Sequence, residues 1–132
     1  MATRDKTIRV LLCNQQTLFQ DGIKALFLEM PSIEVVGSAA TAKQALYMLR
    51  RLRPHVVLLD ATTYDPSGSE VTRRIKAIDP HVGVLILSLY DDEVLISGCL
   101  DAGATGFIRK DAEPLQLSQA ITTAYERSQR AA

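Results

Sequence analysis

Two cysteines, no net charge, no long apolar run and no glycine-rich phosphate loop are what the 132-residue sequence leaves out or nearly so. Each absence narrows the choice. Cys13 closes an apolar run and Cys99 lies within a helical pattern, so both are expected to be reduced structural thiols rather than a disulfide. Lys+Arg and Asp+Glu are 15 each, which removes any global attraction to nucleic acid or anionic lipid. No stretch reaches the roughly 20 apolar residues a membrane-crossing helix needs, and the opening "MATRDKTIRVLLC" is too short in its apolar part for a signal peptide. The expected compartment is therefore cytoplasmic, with no membrane partner. Neither GxGxxG nor GxxxxGK[ST] occurs, so dinucleotide-binding and P-loop chemistry have no support.

What is present is an alternation of buried strands and amphipathic helices. "IRVLLC" (8–13), "EVVGSA" (34–39), "HVVLLD" (55–60), "VGVLILS" (82–88) and "TGFIRK" (105–110) read as strands. The runs at 55–60 and 82–88 are almost wholly apolar, as in strands covered on both faces. Between them, apolar residues recur at helical spacing: Phe19, Ile23, Leu26 and Phe27; Ala42, Ala45, Leu46 and Leu49; Val71, Ile75 and Ile78; residues 93–102; and Leu117, Ala120, Ile121 and Ala124. Pro31, Pro54 and Pro80 stop three of these helices and Gly103 caps the fourth. With 47% hydrophobic residues, one domain with one sheet is expected: an α/β, (βα)5 doubly wound, flavodoxin-like parallel sheet in strand order 2-1-3-4-5. The domain is placed at 1–126, with 127–132 as a tail or the start of a linker.

In such a sheet the carboxyl ends of the strands converge on one crevice. Here they bring Asn14 and Gln15, Asp60, Ser88 and Lys110. A carboxylate nucleophile with a hydroxyl and an ammonium to hold phosphoryl oxygens suits phosphoryl transfer. The plainer alternative is that Asp60 and Lys110 simply pair while Ser88 caps a loop. His55 and His81 fall near strand starts, away from the crevice, and are expected on the surface. Arg50, Arg51 and Arg53, and Arg73, Arg74 and Lys76, lie near helix ends and read as solvated faces or partners of the helix dipole.

The spacing of Asp60, Ser88 and Lys110, with "PHVVLLDATTYDPSGSEV", "VLILSLYDD" and "GATGFIRKDAEP", resembles the receiver domain of bacterial two-component response regulators over essentially the whole chain. Lys110 followed by Asp111, within "RKDAEP", is similar to the NarL/LuxR branch, whose receivers precede a helix-turn-helix DNA-binding domain. The resemblance implies Asp60 as phosphoacceptor, Ser88, Thr62 and Lys110 as phosphate-binding or switch positions, and Phe107 as the switch aromatic, with no catalytic residue of an enzyme. It also implies a histidine kinase partner, a homodimer formed through helical faces, and contact with DNA only through a separate C-terminal domain.

The departures from the family pattern fall in the crevice. The acidic metal-binding pair lands on Asn14 and Gln15, the loop proline on Tyr64, and a small residue after Ser88 on Leu89. Three acids and a lysine would sum to about −2 and favour a divalent cation, whereas Asp60 and Lys110 sum to zero. The expectation is an atypical receiver with no cofactor, weak or absent Mg²⁺ binding, and weak or no Mg²⁺-dependent phosphorylation at Asp60. Asp65, Asp91 and Asp92 are the nearby loop acids that could stand in. The alternative is a conventional response regulator phosphorylated on Asp60. A flavodoxin-like enzyme has no acid–base pair in the crevice to support it.

Overall fold

The computed structural model describes residues 7–14, 17–61, 67–88 and 92–131, with only the main chain at 17–19 and 131. Ten elements alternate: β1 (Ile8–Cys13), α1 (Thr17–Phe27), β2 (Ile33–Ala39), α2 (Ala42–Leu52), β3 (Val56–Asp60), α3 (Gly68–Ile78), β4 (Gly83–Ser88), α4 (Glu93–Asp101), β5 (Gly106–Arg109) and α5 (Pro114–Ala131). The strands form one parallel sheet in the order β2-β1-β3-β4-β5, as the alternation predicts.

Every residue of β3 and β4 is buried, because helices cover both faces and leave no polar side to the central strands. Successive side chains divide between the faces. Leu11, Val57, Leu59, Val84 and Ile86 pack with Ala45 and Leu49 of α2 and with Val71 and Ile75 of α3. Val10, Leu12, Val56, Leu58, Leu85 and Leu87 pack with Ile23 and Phe27 of α1 and with Leu117 and Ile121 of α5. The period of two along a strand thus produces two cores from one sheet.

Local chemistry sets the helix ends. Thr41 accepts from the Gln44 N–H at 3.1 Å, Ser67 from Glu70 at 3.3 Å and Asp92 from Leu95 at 3.1 Å, so α2, α3 and α4 each begin on a side-chain cap. Asp92, a nearby loop acid on sequence grounds, is thus occupied as a cap. The α2 terminus is unusual: Arg53 takes the left-handed conformation, φ 49°, ψ 60°, where glycine is favoured. Gly68 opens α3 against the Ala61 main chain, where a Cβ would lie 3.3 Å from Cα of Ala61. That close approach seats α3 beside the end of β3.

One expectation is corrected, that of His55, and the last helix is longer than its apolar pattern suggests. Residues 127–131 continue α5. Ser128 is buried and donates to the Tyr125 carbonyl at 2.7 Å, while Arg127 donates to the Thr105 carbonyl at 3.3 Å, so the extra turn is tied to the body of the fold. His55 is half-buried rather than superficial: its Nδ1 accepts from the Arg9 N–H at 2.9 Å and its ring packs edge-on against Tyr125. His81 is exposed as expected.

Candidate functional site

The parallel register brings the chemistry to one edge. Asp60 pairs in register with Leu87, one residue before Ser88, and the Lys110 N–H donates to the Ser88 carbonyl at 2.8 Å. At the far side of β3, the Asn14 N–H continues the ladder to the Ala39 carbonyl at 3.0 Å. Asn14, Asp60 and Ser88 are each only 2–3% exposed. They sit at strand ends yet are buried, so any charge among them must be paired to remain there.

Asp60 and Lys110 are paired. Nζ of Lys110 donates to Oδ2 of Asp60 at 2.7 Å, with side chains 9% and 4% exposed. The structure therefore unites three residues singled out in the sequence, Asp60, Ser88 and Lys110, with Asn14 nearby in the β1 end. Gln15, Thr62, Tyr64, Asp65, Leu89 and Asp91 lie outside the described residues. Phe107 is 45% exposed on β5, beside a surface cavity it lines with Leu100 and Ile96 of α4.

Cys13, at the end of β1, has its thiol pushed up to about 12, chiefly by burial and secondarily by the negative charge of Asp60. Burial also raises Cys99, against a weaker opposing hydrogen bond with Thr72. Both cysteines are free and buried, in keeping with structural thiols.

One residue of the site escaped the sequence reading. Gln20 on α1 is buried, and its Nε2 donates to the Asn14 carbonyl at 2.5 Å and the Ala39 carbonyl at 3.0 Å. It ties the ends of β1 and β2 to α1 and so fixes the main chain at position 14. Its signal was a polar residue at a place in the apolar stripe, three before Ile23 and seven before Phe27.

Comparison with known proteins agrees with this geometry. The response regulator receiver domain matches residues 10–122. The transcriptional regulatory protein MctR of Rhizobium johnstonii is 36% identical over 123 residues, covering 93% of this chain and 57% of that protein. Response regulator GacA of Pseudomonas protegens is 31% identical over 114 residues, covering 86% and 54%. Among solved structures, a LuxR-family two-component response regulator from Aurantimonas sp. superposes with a TM-score of 0.85 at 30% identity, covering 92% of this chain and 86% of that one. The receiver domain of the response regulator NarL from Mycobacterium tuberculosis gives 0.85 at 26% identity, covering 92% and 98%. The chain spans about half the length of the curated relatives it matches. A doubly wound sheet of order 2-1-3-4-5, with an acid, a hydroxyl and a lysine gathered at its carboxyl edge, places this chain in the response regulator receiver domain family of two-component signalling.

Proposed function

We propose that this receiver signals with little or no Mg²⁺-dependent phosphorylation at Asp60. The observation that carries this reading is the buried 2.7 Å ion pair between Asp60 and Lys110, beside an amide, Asn14, where the family pattern has an acid. Receiver domains typically use Mg²⁺, which prefers carboxylate oxygens and gives up its waters reluctantly. Here the donor at position 14 is a neutral amide, position 15 is a glutamine, and the Asp60 carboxylate is already bonded to an ammonium. That donor set does not fit a tightly held divalent cation.

The fold's output would then pass through its helical faces, by self-association and through a further domain. Apolar side chains on the α4–β5–α5 side favour self-association: Val94, Leu100, Phe107 and Leu115 are exposed by 42–85%. The matched segment covers only 50–57% of the relatives named as transcriptional regulators, which favours a DNA-binding segment as the effector, with a histidine kinase as the partner in the conventional variant of this reading.

A Mg²⁺ titration and phosphorylation from a small phosphodonor, run on the wild type, Asn14→Asp/Gln15→Asp and Asp60→Asn, test the proposal. The wild type should show weak metal binding and little phosphoprotein. The double variant should bind Mg²⁺ about tenfold more tightly or better, since two carboxylates return the pocket to net negative charge. Tight binding and ready phosphorylation of the wild type at Asp60 would establish the conventional regulator instead. Sedimentation at high micromolar concentration checks self-association.

A further inference from the structure

The opposite edge of the sheet carries a second cluster of charge with a different character. A cleft of about 630 Å³ opens where α2 and α3 end and β3 and β4 begin. Leu49, Ile78 and Val82 line its apolar part, and Arg50, Arg53, His55 and His81 its polar part. From Asp60 it is separated by the length of β3, roughly 16 Å at the usual rise per strand residue.

Cations at a helix C-terminus normally serve the last carbonyls. At α2 that task is already done: the Arg9 guanidinium donates to the Leu52 carbonyl and, at 2.7 Å, to the Arg53 carbonyl. Arg51 is also engaged, donating to the Tyr47 hydroxyl at 3.1 Å and lying 5.5 Å from the centre of that ring. Among the described residues, neither the Arg50 nor the Arg53 guanidinium has an ion-pair partner. Among the described residues lining the cleft the one acid is Asp79, which accepts from the His81 N–H at 3.0 Å and faces Lys76.

Two further observations point to a ligand. Arg53 keeps its long cationic side chain on a left-handed backbone where glycine would be easier, and strain of this kind persists where a side chain is wanted. His55 accepts at Nδ1, so in the neutral ring the proton sits on Nε2 as a donor. Burial, reinforced by Arg9, lowers the pKa of His55 and favours that neutral form at pH 7.

We propose that this cleft binds a small organic phosphate, its phosphate group held by Arg50 and Arg53 and its carbon skeleton resting on Leu49, Ile78 and Val82. Guanidinium groups match the oxygens of a phosphate, both arginines line the cleft, and its volume lies in the range of small-molecule sites. The site is independent of phosphorylation at Asp60.

The test is an NMR titration of the ¹⁵N-labelled chain with phenyl phosphate and with inorganic phosphate. Saturable shifts are expected at the amides of residues 50, 53, 55, 81 and 129, with phenyl phosphate saturating at lower concentration. Arg50→Gln and Arg53→Gly should each weaken binding at least fivefold. Lys24→Gln/Lys43→Gln, which removes two positive charges elsewhere, should leave it unchanged. Arg53→Gly suits the left-handed backbone, so its thermal midpoint should hold or rise, and lost binding there reports a lost ligand contact rather than a lost fold. Non-saturating shifts, binding that survives Arg53→Gly, or shifts centred on Asp60, Ser88 and Lys110 would each overturn the assignment.

Discussion

At the carboxyl end of β3, Asp60 meets Lys110 at 2.7 Å with both side chains almost sealed from solvent. At the amino end, Arg9 is spent on helix carbonyls while Arg50 and Arg53 stand exposed around an open cleft. Both ends gather charge from the same strand order, but under different dielectric conditions. Where solvent is excluded, an unpaired charge costs several kcal/mol, so lysine and aspartate neutralise one another. Where water reaches the groups, cations of one sign sit together at little cost and remain available. The charges of Asp60 and Lys110 are therefore satisfied by each other, whereas Arg50 and Arg53 at the other edge remain exposed to solvent.

The largest expected effect comes from breaking the closed end. Lys110→Ala leaves the Asp60 carboxylate without its ammonium and should cost about 2–3 kcal/mol in urea unfolding at pH 7. Asp60→Asn/Lys110→Ala should recover part of that loss, and a double-mutant cycle with no coupling would show that the pair contributes nothing. Gln20→Leu should come next, at about 1–2 kcal/mol, because two buried carbonyls, those of Asn14 and Ala39, lose a donor. Its amide-exchange signature should concentrate at the ends of β1 and β2; uniform loss of protection would deny Gln20 a local role.

The amino end gives smaller effects of opposite sign. Arg53→Gly should stabilise the fold by up to about 1 kcal/mol by relieving the left-handed backbone of Arg53. Arg53→Ala, which keeps the Cβ, should not; equal responses would show that the backbone is not the cause. The smallest effect is a pH dependence. His55 has its pKa lowered in the folded state, by burial and then by Arg9, so the unfolded chain binds the proton more readily. Its contribution is complete above the unfolded value near 6.5 and is lost as pH falls through the lower folded value. Protonation also ends acceptance of the Arg9 N–H by Nδ1. The drop in thermal midpoint between pH 7.5 and 5 should therefore be shallower in His55→Asn than in the wild type.

The sheet order and the helix faces were legible because covered parallel strands need continuous apolar runs, and "HVVLLD" and "VGVLILS" have no polar side. The meeting of Asp60, Ser88 and Lys110 was legible for the same reason: each ends or follows a strand whose neighbours the topology fixes. Gln20 was harder to read. A lone glutamine in an apolar stripe does not state which carbonyls it will meet, and those two belong to different strands. The full length of α5 was also hard to read: "RSQRAA" lacks apolar periodicity, while burial of Ser128 and the bond from Arg127 to Thr105 depend on where α5 crosses the sheet.

By itself the sequence determined the fold, through the periods of its apolar residues, and the composition of the crevice, through the residues that end its strands. Tertiary structure alone decided how each charge is used. Only packing shows that Arg9 reaches the end of α2 and releases Arg50 and Arg53, that His55 is an acceptor, and that Asp60 is bonded to Lys110. The physical reason is that a residue's identity specifies its charge, but the energy of that charge depends on solvent exclusion and on partners 44 to 50 positions away along the chain.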